Sequence, residues 1–171
     1  YTYGLSIINT HLFSGASIVT TNMSVVEKSF WKLMKNQKVT SFGGVPYFYE
    51  ILKKIKFHKI TLPYLKYFTQ AGGALNKELV KYFLNYAETN KVKFIVMYGQ
   101  TEATARMTYL PYEKAKKKIG SIGKSIPFTE MWLENKKGEK IKKSGEIGEL
   151  IFKGKNVSMG YSRNVLDLTR V

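Results

Sequence analysis

The chain has 171 residues, of which 44% are hydrophobic and 14% aromatic, so it can build one domain around a packed core and is not a disordered chain. The absence of cysteine excludes disulfides, thiolate metal sites and a cysteine nucleophile and suits a reducing, cytoplasmic location, and no apolar run approaches the length of a membrane span. The net charge of +16 keeps open a non-catalytic basic module that binds nucleic acid.

Helices and strands alternate through the first part of the chain. A capping-box pattern at residues 24–27 and a proline at position 46 indicate two helix starts, each followed by apolar residues at helical spacing. In chain order we expect a helix at 3–13, a strand at 17–20, a helix at 25–35, a strand at 39–42, a helix at 46–54, a strand at 64–69, a helix at 77–89 and a strand at 92–97. This order predicts an α/β fold with a mainly parallel sheet and flanking helices.

The pattern changes after residue 118, where helical periodicity stops and glycines become frequent. Short apolar runs near 131–133 and 149–153, with a Lys137-Gly138 turn between them, predict an antiparallel β segment that forms part of a barrel. We therefore divide the chain into an α/β subdomain, residues 1–118, and a β-rich segment, residues 119–171.

Lysines are spread along the chain, whereas arginine occurs at positions 106, 163 and 170 alone. Arginine is the preferred residue for bidentate contacts to phosphates and bases. The densest basic run, residues 114–118, lies in a predicted connector and is interpreted as a solvated surface. We therefore do not expect nucleic acid to be the partner.

Three glycine-bearing loops follow predicted strands, at residues 41–46, 68–75 and 98–102. In parallel sheets the carboxyl ends of neighbouring strands lie at one edge, which is where ligands bind. The last loop, Tyr98–Glu102, offers an aromatic ring for a base, a glycine for close approach, a hydroxyl for phosphate and a carboxylate for Mg²⁺. The alternative for the same residues is a ring that packs on the sheet and an acid that begins a short helix.

Four segments in register resemble motifs of the adenylate-forming superfamily, which includes acyl-CoA synthetases, aryl-CoA ligases, luciferases and peptide-synthetase adenylation domains. They are Gly72-Gly73-Ala74-Leu75, Tyr98-Gly99-Gln100-Thr101-Glu102, the glycine segment from Gly120 to Pro127, and Gly145–Leu150 followed by Gly154 and Gly160-Tyr161. The resemblance covers essentially the whole chain. The segment from Gly120 departs from the family pattern by one extra residue before its proline.

The resemblance implies ATP-dependent activation of a carboxylic acid as an acyl-adenylate, followed by transfer to CoA or to the phosphopantetheine of an acyl carrier protein. It implies that adenine lies between the Tyr98 ring and the Gly72-Gly73-Ala74 backbone, with Gly99, Gln100 and Thr101 also at the nucleotide. It assigns catalysis to Thr101 and Glu102 and the Mg²⁺ to Glu102. The implied acyl pocket is lined by Tyr3, Gly4, Phe42, Gly43, Val45, Pro46 and Ala71.

The family's phosphate loop with its lysine, its ribose-binding aspartate and its C-terminal catalytic lysine have no counterpart in this sequence. We therefore interpret the chain as an internal piece of a larger enzyme, which requires the remainder of the same polypeptide and is inactive alone. The alternative is a non-catalytic remnant of the ligase fold. The two histidines, His11 and His58, are expected on helix faces or the surface and not in catalysis.

Overall fold

The computed structural model describes residues 2–169 and contains two β-sheets. The helices are α1 (Thr2–Phe13), α2 (Lys28–Asn36), α3 (Pro46–Lys54), α4 (Lys77–Thr89) and α5 (Tyr112–Ala115), with 3₁₀ turns at Phe57–Lys59, Thr101–Ala103, Lys116–Lys118 and Val165–Thr169. The strands are β1 (Ser41–Gly44), β2 (Tyr67–Gln70), β3 (Lys93–Tyr98), β4 (Thr108–Tyr109), β5 (Lys124–Ser125), β6 (Thr129–Glu134) and β7 (Glu149–Gly154). None of the helices in this part of the chain is long and apolar enough to cross a membrane.

The main sheet has five strands in the order β1-β2-β3-β4-β5. The first three strands run parallel, with α3 and α4 as their crossovers, and the two short strands β4 and β5 extend the sheet antiparallel. The predicted α/β class with flanking helices is therefore confirmed. The carboxyl ends of β1, β2 and β3 lie at one edge, as the sequence predicted.

The core lies on the side of the sheet that α3 and α4 cover. Phe42, Phe68 and Phe94 occupy matching positions on the three parallel strands, and their rings stack with centroids 5.4 and 4.8 Å apart. Tyr49 of α3 and Phe83 of α4 cover this row and are fully buried. The Tyr49 hydroxyl donates a hydrogen bond of 2.6 Å to the carbonyl of Thr69, which ties α3 to β2.

Helix α1 covers the opposite face of the sheet. Tyr3 is buried there beside Ala71 and Ala105, and its hydroxyl lies 2.6 Å from Thr69 Oγ1. Gly43 permits this approach, because a Cβ at position 43 would lie 2.7 Å from the Tyr3 hydroxyl. The molecule thus has helices on both faces of its parallel strands.

The second sheet consists of β6 and β7, which pair antiparallel from Thr129↔Gly154 to Glu134↔Glu149. This confirms the predicted small antiparallel segment, and Gly138 has the positive φ of 78° expected in the predicted turn. The division at residues 118/119 stays a prediction. Strand β5 lies after this boundary in sequence but pairs with β4 in the main sheet.

The predicted strand at residues 17–20 is wrong, because this segment pairs with no described strand and Ile18 and Val19 are partly exposed. The capping box is formed in part, since Ser24 N donates to Glu27 Oε1 at 2.7 Å. It closes a turn and not the helix, which begins three residues later than predicted, with Glu27 as its N-cap. Strand β1 begins two residues later than predicted and β2 begins three residues later.

Removing a ring from the stacked row should destabilise the chain strongly. We expect Phe68→Ala to lower the free energy of unfolding by about 3–5 kcal/mol, because Phe68 is fully buried and contacts rings from five elements. The matched control is Phe13→Ala at the end of α1, where the side chain is 95% exposed and the cost should stay within about 0.5 kcal/mol. Urea unfolding measures both, and equal losses would contradict this account of the core.

Candidate functional site

The loops after β1 and β2 are held together by hydrogen bonds at the sheet edge. Ala71 N donates to the carbonyl of Gly44 at 3.2 Å, and Gln70 Nε2 donates to the carbonyl of Gly73 at 2.7 Å. Gly73 lies against the first turn of α3, since a Cβ there would lie 3.1 Å from Pro46 Cγ. Gly72 has a φ of 81°, in the left-handed region that favours glycine.

The loops after β2 and β3 form the walls of a cavity of about 470 Å³ on the α4 side of the sheet edge. It brings together five of the predicted nucleotide residues, Gly72, Gly73, Ala74, Tyr98 and Gly99. Gln100 and Thr101, also predicted, do not line it. The wall is completed by residues that the sequence interpretation did not assign to the site: Gln70, Leu75, Val80, Val96, Met97, Leu110, Gly120, Ser121 and Ile122.

Gln70 is the polar group of this cavity that is buried most deeply, with 1% of its surface exposed. Its amide nitrogen must face the Gly73 carbonyl, because a carbonyl oxygen only accepts. The amide oxygen Oε1 is therefore turned away from that bond, and it has no hydrogen-bond partner among the described residues.

The loop after β3 has a strained backbone conformation. Thr104 and Ala105 both have positive φ, 54° and 67°, which costs about 1–3 kcal/mol each. The fold closes the turn with Ala105 N donating to the carbonyl of Gln100 at 3.0 Å. Gly99 is required here, because a Cβ at that position would collide with the carbonyl of Ala105. Such strained segments concentrate at binding sites.

The segment after β7 fastens this loop from the other side. Tyr161 donates a 2.5 Å hydrogen bond to Glu102 Oε1, and Ser158 N donates to the carbonyl of Glu102 at 2.7 Å. Thr104 Oγ1 donates to the carbonyl of Asn156 at 2.7 Å, and Asn156 Nδ2 donates to that of Ala103 at 2.8 Å. The β6–β7 unit is thereby tied to the edge of the main sheet at the predicted catalytic residues.

Glu102 is the acidic group of this edge, and its carboxylate stays ionised. The hydrogen bond from Tyr161 and a hydrogen bond from its own backbone lower the pKa of Glu102, and the same contact raises the pKa of Tyr161. Among residues 2–169 there is no group of three acidic, histidine or cysteine side chains that could hold a metal by itself. A lone carboxylate suits Mg²⁺, which proteins hold through one or two carboxylates together with phosphates and water. The predicted partner Thr101 is exposed and accepts from Thr2 Oγ1 at 3.2 Å.

A second cavity, of about 310 Å³, lies on the α1 side of the sheet. Strand alternation separates the two cavities, because Gln70 and Val96 face the first cavity and Thr69 and Ile95 face the second. Met97 lines both.

Two of the seven residues predicted for an acyl pocket line this cavity. Gly43 and Phe42 line it, but the Phe42 ring stacks in the core with Phe68, while Tyr3 and Ala71 pack together beneath α1. The other five, Tyr3, Gly4, Val45, Pro46 and Ala71, line neither cavity. Sequence reasoning missed the residues that dominate the wall, among them Ser41, Tyr67, Thr69, Arg106 and Tyr109.

The two histidines lie at separate places. His11 also lines the second cavity and contacts Ser41 Oγ at 3.2 Å, and His58 contacts the Tyr82 hydroxyl at 2.8 Å outside both cavities. Neither histidine has a carboxylate partner among its hydrogen bonds in the described part of the chain.

Comparison with known proteins finds a match to the AMP-binding enzyme family over residues 1–162. The chain is 27% identical over 150 residues to the mitochondrial medium-chain acyl-CoA ligase ACSF2 of Rattus norvegicus, covering 86% of this chain and 24% of that protein. It is 29% identical over 139 residues to the oxalate–CoA ligase of Arabidopsis thaliana, covering 80% of this chain and 26% of that protein. The chain thus spans about a quarter of the length of these curated relatives.

Solved structures show the same fold. The N-terminal domain of FACL13 from Mycobacterium tuberculosis superposes with a TM-score of 0.81 at 20% identity, covering 99% of this chain and 42% of that one. The o-succinylbenzoate coenzyme A synthetase of Bacillus subtilis, in complex with ATP and magnesium ion, gives a TM-score of 0.79 at 22% identity over 96% of this chain and 33% of that one. At these identities the likeness establishes the fold.

The contact between Tyr161 and Glu102 can be tested through the pKa of Glu102. Because the hydroxyl donates to the ionised carboxylate, the bond exists above the lowered pKa and is lost as the pH falls through it. We expect Tyr161→Phe to raise the pKa of Glu102 toward its ordinary value, as measured by the carboxyl ¹³C shift against pH. Tyr47→Phe, at an exposed tyrosine of α3, is the control. A pKa that is the same in Tyr161→Phe and the wild type would mean that the contact is not formed in solution.

Proposed function

The chain belongs to the AMP-binding enzyme family, and from this premise we propose that it forms the adenine- and acid-binding part of a ligase that joins a carboxylic acid to a thiol using ATP. The observation that carries the proposal is the 470 Å³ cavity, in which the Gly72–Ala74 backbone lies opposite the loop that begins at Tyr98. The proposed activity belongs to a polypeptide that also supplies the segments present in the relatives and absent from this sequence.

Adenine is the proposed occupant of the cavity. The Tyr98 ring stacks on one face of the base and the Gly72-Gly73-Ala74 backbone lies on the other, with room that a larger side chain would fill. Gly99 and Gln100 continue the loop toward the phosphates.

The proposed catalytic groups are Thr101 and Glu102. Glu102 is held ionised at the sheet edge, which supports its role as the protein ligand of Mg²⁺. The metal, when bound, neutralises phosphate charge and fixes the phosphate orientation. Thr101 presents an exposed hydroxyl that can donate to a phosphate oxygen.

The proposed reaction has two steps. A carboxylate oxygen of the acid attacks the α-phosphorus of ATP, the bond to pyrophosphate breaks, and an acyl-adenylate forms. A thiol sulfur then attacks the acyl carbonyl and AMP leaves with the bonding electrons. The two CoA ligases to which the chain is similar support CoA as the thiol, and the phosphopantetheine of an acyl carrier protein stays an alternative. The cytoplasmic location stays a prediction.

The base slot can be tested with two substitutions at one position. Tyr98→Ala removes the stacking face and should weaken the binding of AMP, or of a non-hydrolysable acyl-adenylate mimic, by about 1–3 kcal/mol. Tyr98→Phe should retain most of the affinity because the ring remains. Calorimetric titration of the chain measures both variants.

The matched control for this titration is Tyr47→Ala on α3, since Tyr47 is 67% exposed and lines neither cavity. Its affinity should equal that of the wild type. Equal affinity for the wild type and Tyr98→Ala would show that Tyr98 is a packing residue and would remove the placement of adenine.

A further inference from the structure

The cavity on the α1 side has one arginine in its lining, Arg106. Arg106 lines it together with apolar and hydroxyl side chains such as Ile7, Thr69 and Tyr109. No aspartate, glutamate or lysine belongs to the lining, and the other titratable groups there are His11 and two tyrosines.

The Arg106 side chain has no anionic partner in the described part of the chain. Its Nε is enclosed and makes no hydrogen bond with any described residue. The ion pair found within residues 2–169 joins Lys116 to Glu88, at a different place on the molecule. Arginine keeps its charge under all ordinary conditions, so the guanidinium remains a cation that lacks a counter-ion.

The backbone of Arg106 is fixed by the loop that carries the proposed nucleotide residues. Its carbonyl accepts from Asn156 Nδ2 at 3.3 Å, and its Cα packs against Gly99, where a Cβ would lie 3.0 Å away. The side chain therefore projects from a rigid support, which is what a residue that recognises a ligand requires.

The charge restricts which acids suit the cavity. A plain hydrocarbon tail would displace water and leave the guanidinium against methylene groups, which is unfavourable for an unpaired charge. A second carboxylate on the tail would pair with it instead, because the planar guanidinium matches a carboxylate with two parallel hydrogen bonds.

The volume sets the size of the acid. A cavity of about 150 Å³ holds benzene, a molecule of six heavy atoms. A cavity of about 310 Å³ therefore has room for roughly ten to twelve heavy atoms by the same measure. Linear or aromatic dicarboxylic acids such as adipate and phthalate have this size.

We propose that Arg106 makes this chain selective for carboxylic acids that carry a second anionic group, so that its substrate class is dicarboxylic acids of about this size. The inference rests on the proposed function for the statement that the other carboxylate reacts. Because Met97 lines both cavities, an acid held here is the neighbour of the nucleotide.

The test is an NMR titration of the chain, without nucleotide, with adipate, monomethyl adipate and hexanoate. These probes share a six-carbon acyl chain and one free carboxylate and differ at the far end. We expect adipate to bind roughly 10- to 100-fold more tightly than the other two. Its binding should change the chemical shifts of Thr69, Ile95 and other residues of this wall.

Three variants connect the preference to the guanidinium. Arg106→Met keeps an unbranched stem but removes the guanidinium and with it the charge, so the preference for adipate should disappear while hexanoate binds as before or better. Arg106→Lys keeps the charge without the planar fork and should retain part of the preference. Arg163→Met is the matched control, because Arg163 is exposed and lines neither cavity. Thermal unfolding verifies that each variant is folded.

Two results would overturn the inference. Equal affinity of the wild-type chain for adipate and its monomethyl ester would do so without any variant. Parallel loss of adipate and hexanoate binding in Arg106→Met would place the guanidinium at the reacting carboxylate. Absence of AMP binding with a retained adipate preference would refute the proposed function, whereas AMP binding without the preference would refute this inference alone.

Discussion

The stack of Phe42, Phe68 and Phe94 across three parallel strands is the constraint on which the candidate site depends. Phe68 and Phe94 are fully buried and Phe42 is partly buried on the face under α3 and α4, so a slip of one residue in any strand would turn its ring to the α1 face. The register that they fix aligns Gly44 at the end of β1 with Gln70 at the end of β2 and with Val96, two residues before the end of β3. The loops that follow therefore meet at one edge, and the packing of the core determines where the two cavities lie.

Because side chains alternate along a strand, adjacent residues of one strand face different sides of the sheet. On β2, Phe68 enters the core, Thr69 faces α1 and Gln70 turns to the first cavity beneath its own loop. The chain thereby separates a slot with a buried unpaired acceptor from a pocket with an unpaired cation, and Met97 lies between them. One side chain in each lining has a buried atom without a hydrogen-bond partner among the described residues, Oε1 of Gln70 and Nε of Arg106.

Local signals predicted those parts of the fold that depend on neighbouring residues. Helix α4 has the predicted bounds, and Asn76 caps it by accepting from Glu78 N at 2.8 Å, while Pro46 begins α3. The segment at 17–20 has strand-forming residues but no partner strand among residues 2–169, and strand pairing is not a local property. Strands β4 and β5 have two residues each, too few for any period to show. The assignment of Phe42 to the acyl pocket, which rested on the family resemblance, stays a prediction, since Phe42 lines the second cavity while its ring stacks on Phe68 in the core.

The glycine motifs predicted the loops that line the first cavity, but the sequence did not predict contacts between distant segments. Tyr161 and Glu102 are 59 residues apart, and Arg106 becomes notable only once the wall around it is known. The proposed place of adenine, between Tyr98 and the Gly72–Ala74 backbone, can be tested by intermolecular NOEs from bound AMP. We expect NOEs from adenine H2 and H8 to the Tyr98 ring and to the Cα protons of Gly72 and Gly73. NOEs from those protons to Ile7, Thr69 or Ile95, on the α1 side, would contradict it.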